Sequence, residues 1–103
     1  MRMMFQVTFP VETVNALMTD GEFGNTMKGI MEAIKPEAAY FTTVHGQRGG
    51  YVVVNIQEAS ELPGIAEHFF HAFEADVEVA PVMVPEDLMK AMPDIDRVAQ
   101  QYA

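Results

Sequence analysis

Residues 38–57 read AAYFTTVHGQRGGYVVVNIQ, and this stretch decides the fold of the chain. β-Branched and aromatic side chains fill both of its halves, while glycines interrupt the middle. This pattern predicts two strands, Ala38–His45 and Tyr51–Gln57, joined by a glycine-rich hairpin loop over residues 46–50. The apolar run 51–56 is typical of a strand that is buried on both faces.

The flanking sequence supplies two more strands and three helical segments. Residues Met3–Phe9 alternate with period two, as a strand with one buried face does. A helical pattern follows up to Pro36 and is interrupted by glycines within residues 19–25. The remaining elements are a helix, a strand and a terminal helix that Pro85 opens, predicted at residues 60–75, 77–84 and 85–103.

The predicted order is therefore β-α-β-β-α-β with an extra C-terminal helix. Because β-α-β crossovers are right-handed, each half of the chain places its two strands parallel with one strand between them. This order predicts a ferredoxin-like α+β domain. A chain of 103 residues has room for a single domain, here a core over residues 3–84 and a helical extension over residues 85–103.

One face of the predicted sheet has nothing to cover it. Both helices pack on the face that carries Met3, Phe5, Val7 and Phe9. If His45 pairs with Gly50, the opposite face presents a mixed set of side chains: Met4, Gln6, Thr8, Tyr40, Thr42, Val44, Tyr51, Val53 and Asn55. Such a surface is too apolar for water and too polar for a dry core. We therefore expect a homodimer formed through this sheet face.

Composition excludes several classes of partner. Fifteen acids against six bases give a net charge of −9, which repels nucleic acid and anionic lipid. The absence of cysteine excludes disulfides and thiolate chemistry. No apolar run reaches the length of a membrane span, and the N-terminal segment is typical of a strand rather than a signal peptide. We expect a soluble, cytoplasmic protein.

The pattern resembles the dimeric α+β barrel superfamily, and within it a small uncharacterised family. The resemblance spans residues 3–84 and rests on the element order, the His45-Gly46 hairpin with Arg48-Gly49-Gly50, and the closing Ala80-Pro81-Val82-Met83. Members include monooxygenases, isomerase-like proteins and ligand sensors, so the resemblance implies a dimer rather than one activity. The monooxygenases commonly share an Asn, Trp and His set, and this chain has no Trp.

His45 is the candidate catalytic residue, expected on the helix-facing side of the sheet, where an imidazole acts as a general base or orients a carbonyl. The alternative is a hairpin-end histidine that bonds to backbone. Arg48 is a candidate carboxylate clamp, or simply an exposed hairpin tip. Tyr51 and Asn55 either line a cavity or satisfy one another across the dimer interface. Phe23 is either part of a lid or a plug between helix and sheet.

His68 and His71 lie three residues apart with acids nearby, a spacing that resembles a metal pair. Helical geometry places His71 almost opposite the apolar stripe of its helix and His68 at the flank of that stripe. Ligands on a solvent-facing helix need a second element to complete the metal shell. We therefore expect no metal site and no cofactor.

Two functions are consistent with these expectations. The first is an enzyme or binder of an aromatic or apolar carboxylate metabolite, with a pocket between sheet and helices near His45, Arg48 and Phe23. Any reaction would be of the monooxygenase or isomerase type, without a tightly held metal. The second is a non-catalytic dimeric module that senses a ligand or binds a partner protein.

Overall fold

A computed structural model describes residues Met1–Ala103 and shows an α+β fold with a four-stranded antiparallel sheet. The elements are β1 (Arg2–Thr8), α1 (Val11–Thr19), α2 (Phe23–Ile34), β2 (Ala38–Val44), β3 (Gln47–Asn55), a 3₁₀ turn (Ala59–Glu61), α3 (Leu62–Phe73), β4 (Asp76–Pro81) and α4 (Pro85–Gln101). The strand order is β2-β3-β1-β4. The predicted elements and the one-strand gap within each half of the chain are confirmed.

The hydrophobic core lies between one face of the sheet and the helices α1, α2 and α3. β1 and β3 supply alternate residues to it, and each helix adds the inner residues of its apolar stripe. The core members with the least exposure are Phe5, Val7, Phe9, Val14, Val52, Phe69 and Phe73. The face predicted to carry Met3, Phe5, Val7 and Phe9 is thus the helix-covered face, as the alternation required.

The first helical segment is split into α1 and α2 by a sharp break. Gly21 adopts φ 72°, a left-handed conformation that favours glycine. Phe23 then begins α2 and packs its ring edge-on against Phe9, with centroids 6.1 Å apart, and against Phe73 at 5.3 Å. Phe23 is half-buried and packs against the core, as the plug interpretation expected.

The β2–β3 hairpin is tighter than the sequence predicted. The loop contains two residues, His45 and Gly46, both with positive φ, and β3 already begins at Gln47. This is the geometry of a type I′ turn, whose twist matches that of the strands it joins. The expected five-residue loop was wrong because Gly49 and Gly50 are strand residues.

Close packing explains these strand glycines. A Cβ added at Gly49 would meet the Val7 carbonyl oxygen and lie 2.8 Å from Val44 Cγ2. A Cβ added at Gly50 would meet the Tyr40 carbonyl oxygen and lie 3.1 Å from the Phe41 ring. The glycines therefore serve the close approach of neighbouring strands, a role that composition alone does not distinguish from a loop.

The start of α3 is held by a glutamate. The Oε2 atom of Glu61 accepts hydrogen bonds from the backbone N–H groups of Glu58 and Gln57, each at 2.7 Å. These bonds favour the charged carboxylate and hold the pKa of Glu61 below its ordinary value. They also fix the 3₁₀ turn that leads the chain from β3 into the helix.

α4 is an arm that projects from the domain. β4 ends at Pro81 rather than at the predicted Val84, and α4 then leaves the body without substantial contact to any other element. No residue of α4 is buried, and the molecule measures 59 Å along its long axis. Its radius of gyration is 17.3 Å, against about 13 Å for a compact domain of this length.

No helix has both the length and the apolar character needed to cross a membrane.

Candidate functional site

The sheet face that the helices leave uncovered is here called the open face. Strand register fixes its membership, because residues paired across neighbouring strands share a face. Three successive rows cross all four strands: Ala38–Val53–Met4–Ala80, Tyr40–Tyr51–Gln6–Glu78 and Thr42–Gly49–Thr8–Asp76. These are called the apolar row, the middle row and the polar row. All nine residues expected on this face do lie on it, two of them, Val44 and Asn55, outside the three rows.

The open face changes character along the strands. The apolar row, nearest the root of α4, has no polar side chain. The middle row has tyrosines on β2 and β3 and polar groups on β1 and β4, with Tyr40 68% exposed. The polar row, nearest the His45 turn, carries hydroxyls and a carboxylate. One face therefore offers an apolar half and a half that can hydrogen-bond.

His45 lies at the polar end of the open face. Its φ of 52° ends the strand alternation, and its side chain approaches Gln6, with the two Nε2 atoms 3.3 Å apart. Gln6 belongs to the open face, so the expectation that His45 faces the helices was wrong. The positive φ of the type I′ turn is the physical reason, because it redirects the side chain from the course that the strand would have given it.

Gln6 links His45 to Glu78. The Nε2 group of Gln6 donates to Glu78 Oε2 at 2.6 Å, and this bond orients the amide, since a carboxylate oxygen only accepts. The amide N–H₂ therefore also faces His45, whose Nε2 must be the acceptor. This arrangement assigns the proton of a neutral His45 to Nδ1. Side chains of β1, β4 and the turn thus form one hydrogen-bonded chain.

A concavity of about 610 Å³ surrounds these groups. Its walls come from β1, β4, the hairpin and the outer side of α3: Gln6, Thr8, His45, Gln47, Phe70, Asp76, Val77 and Glu78. The volume is within the range of small-molecule sites. None of the six basic residues lines it, whereas it contains the carboxylates of Asp76 and Glu78. The local charge therefore favours cations and hydrogen-bond donors over anions.

Asp76 and Glu78 were not among the predicted site residues. The sequence carried a signal for Glu78, because it alternates with Val77 and Val79 and so occupies the uncovered face of the strand predicted over residues 77–84; Asp76 precedes that predicted strand. The predicted strand order places β4 beside β1, but the sequence did not show the register that sets Gln6 opposite Glu78. That pairing follows only from the sheet register.

Arg48 and His45 are close in sequence, but their side chains lie on opposite faces of the sheet. Arg48 lies on the helix-covered face of β3, half-buried, and its Nη2 donates to Asn15 Oδ1 of α1 at 2.9 Å. The alternative of an exposed hairpin tip was wrong, since this residue lies within the strand. Its guanidinium joins the hairpin to α1.

The other predicted ligand-binding residues are not gathered around His45. Tyr51 lies on the middle row between Tyr40 and Gln6, within the open face. Asn55 lies four residues further along β3, about 13 Å away, where its Nδ2 donates to Glu37 Oε1 at 3.2 Å. Phe23 is on the other side of the sheet, half-buried against the core. The structure therefore brings Tyr51 to the margin of the site and leaves Asn55 and Phe23 outside it.

His68 and His71 lie on the outer surface of α3, in a shallow groove against α2. His71 Nε2 is 2.8 Å from Glu67 Oε2, and both side chains are more than half exposed. No group of three or more His, Asp or Glu side chains has a geometry suited to a metal ion. The contact between Glu67 and His71 is a surface interaction between residues one helical turn apart.

A scan against protein-family models finds no match to this sequence, and a search of curated proteins finds no similar protein. The function of the chain must therefore be inferred from the geometry and chemistry of the open face.

Proposed function

We propose that this chain is a homodimeric small-molecule-binding protein, in which a second copy covers the open face and closes the concavity beside His45. The single observation that carries the proposal is the continuity of two features on one surface. An uncovered aromatic and apolar area runs directly into a hydrogen-bonding concavity. A second copy of the chain that covers the apolar area also encloses the concavity.

The fold supports this assembly. The split β-α-β arrangement is the ferredoxin-like layout, and the dimeric α+β barrel proteins that the sequence resembles pair such sheets through their uncovered faces. On this chain that face leaves about two-thirds of Tyr40 exposed and Met4, Tyr51 and Val53 partly exposed. Contiguous apolar area of this kind marks an interaction surface on a small protein.

The chemistry of the concavity defines the class of ligand. Asp76 and Glu78 repel a carboxylate and attract an amine, while Gln6, Thr8 and His45 offer hydrogen bonds. Phe70 lines the concavity, and Tyr51 lies beside the lining residue Gln6 on the middle row, so both supply aromatic surface at its boundary. The proposed ligand is a small molecule with an aromatic or apolar body and an amino group. The sequence predicted a carboxylate ligand because Arg48 was expected in the site. Arg48 lies on the other face of the sheet, and the proposed ligand therefore carries the opposite charge.

The role proposed is binding without catalysis. The lone pair of His45 Nε2 already accepts from the Gln6 amide, so a general base at this atom would first have to exchange that bond. The other polar side chains of the concavity are carboxylates, amides and a hydroxyl, with no activated nucleophile among them. This role corresponds to the second of the two functions consistent with the sequence, a non-catalytic dimeric module that senses a ligand.

Thermal unfolding with two matched probes tests this proposal. Phenethylamine and phenylpropionate share an aromatic body and differ in the sign of their charge. We expect millimolar phenethylamine to raise the Tm of the wild-type protein and phenylpropionate to leave it unchanged, because only ligands that bind the native state stabilise it. Glu78→Gln should abolish the difference. An equal response to both probes, or a response to phenylpropionate alone, would overturn the assignment.

A matched control separates this site from general charge effects. Glu12→Gln removes one acid from α1, on the other side of the sheet, and should leave the phenethylamine response intact. His45→Ala should weaken the response by removing one wall of the concavity. Loss of the response in Glu12→Gln, with retention in Glu78→Gln, would place the amine elsewhere on this acidic protein.

A further inference from the structure

We infer that α4 is an exchanged arm, which packs its apolar stripe on the apolar row of a second copy of this chain. The stripe consists of the apolar residues that recur three or four positions apart along α4: Leu88, Ala91, Met92, Ile95, Val98, Ala99 and Tyr102. The inference rests on the proposed homodimer and names the segment that covers part of the open face.

The stripe has the form of a packing surface. At 3.6 residues per turn, all of its members lie within about 60° of Ile95 around the helix axis. Leu88 is 46% exposed, Ile95 45%, Val98 43% and Tyr102 85%. A helix with so narrow and continuous an apolar stripe is normally packed against a partner. In this chain α4 makes no substantial contact with the body.

Pro93 indicates the direction in which the arm bends. It lies about 160° from Ile95, on the polar side of the helix. A proline ring within a helix crowds the carbonyl four residues earlier, here that of Met89, and has no N–H to donate, so we expect the helix to open on that side. The stripe is then on the concave side, as expected for an arm that curves around another molecule.

Charge excludes a membrane as the partner. The polar side of α4 carries four acids and two bases: Glu86, Asp87, Asp94 and Asp96 against Lys90 and Arg97. Helices that lie on anionic lipid are instead rich in Lys and Arg. With a net charge of −9 on the whole chain, a lipid surface would repel both the arm and the body.

A second copy satisfies both uncovered surfaces at once. Each chain has one unpartnered stripe and one apolar row, and a two-fold exchange seats each stripe on the row of the other copy with none left over. An arm of this length is about 25 Å long, and a row across four strands is about 14 Å wide. Burial of the stripe removes roughly 300 Å² from each arm. Two arms and two rows bury on the order of 1,200 Å², the lower limit of a specific interface. The arm leaves the polar half of each face uncovered, so the rest of the second copy closes the concavity there.

Sedimentation equilibrium on charge-matched variants tests the inference. Ile95→Glu with Val98→Glu places two acids on the stripe, and Gln100→Glu with Gln101→Glu adds the same charge on the opposite side. We expect the stripe variant to raise the dimer Kd at least tenfold and the control to change it less than twofold. A stripe variant that dimerises as tightly as the wild type would overturn the arm exchange while leaving the homodimer in place. A monomeric wild type would overturn both.

Disulfide trapping distinguishes exchange from an arm that folds back. The chain has no cysteine, so Val53→Cys on the apolar row and Val98→Cys on the stripe can be introduced together in the full chain. Oxidation should give a covalent dimer on a denaturing gel without reductant. A monomer with an internal disulfide, or no disulfide at all, would overturn the inference. Val53→Cys with Gln100→Cys is the matched control and should crosslink at least fivefold less.

Discussion

Replacement of Gly49 by alanine tests the strand packing that supports the open face. The added Cβ would meet the Val7 carbonyl oxygen of β1, and it would lie 2.8 Å from Val44 Cγ2 and 2.9 Å from Val44 Cβ. Neither obstacle is the end of a flexible side chain, since one is backbone and the other is a buried, β-branched valine. β1 and β3 must therefore separate, or Val44 must leave its place.

The cost of this overpacking is about 1–3 kcal/mol. In a domain of this size, each kcal/mol corresponds to a Tm change of about 4–8 °C. Urea unfolding followed by circular dichroism gives the free energy of unfolding directly, and an unchanged m-value would show that the unfolding transition is otherwise the same.

Gly29→Ala is the matched control for this experiment. Gly29 lies within α2, and a Cβ there would have no neighbour within 4 Å. Alanine should stabilise the helix by about 0.5–1 kcal/mol, because it lowers the conformational entropy of the unfolded chain. If Gly49→Ala were as stable as the wild type, the tight approach of β1 to β3 at this position would be incorrect.

Three further predictions concern other parts of the fold. Phe73→Ala should cost about 3–5 kcal/mol in urea unfolding, because the ring is fully buried with the Phe9 centroid 5.0 Å away; a loss below 1 kcal/mol would contradict this packing. Lys35→Gly should raise the free energy of unfolding by about 1 kcal/mol, since Lys35 ends α2 with φ 47°, and an alanine there should not. For Glu61, whose pKa is lower in the folded protein, the contribution to stability is present above the unfolded pKa and is lost as the pH falls through the folded pKa. Glu61→Gln should therefore lower stability at pH 7 and flatten its decline in acid, and a parallel pH profile would refute this.

Much of the fold could be predicted because its signals are local. Period-two alternation in β1 and helical spacing in α3 identified both elements and their buried sides. The assumed pairing of His45 with Gly50 placed Asn55 opposite Tyr40, where the structure has Tyr51, an error of four residues. An even shift leaves every side chain on its predicted face, so the open face was identified correctly despite the wrong register.

The site could not be predicted to the same degree because it depends on geometry that is not local. His45 was assigned by extending the alternation of β2 through a residue whose positive φ ends it. Arg48 was assigned to a loop because Gly49 and Gly50 follow it, although these glycines serve strand packing. Glu78 joins the site because the register of β4 on β1 sets it opposite Gln6. Single residues in special conformations and one strand pairing decided these outcomes.

The central claim is that a second copy of the chain covers the open face. Sedimentation equilibrium of the wild-type protein, beside Met4→Lys in the middle of the apolar row, tests it most directly. We predict a wild-type mass about twice the 11.5 kDa of one chain and a shift of the lysine variant to the single-chain mass at the same concentration. A wild-type protein that sediments at 11.5 kDa even at millimolar concentration, or a dimer that Met4→Lys leaves unchanged, would contradict it.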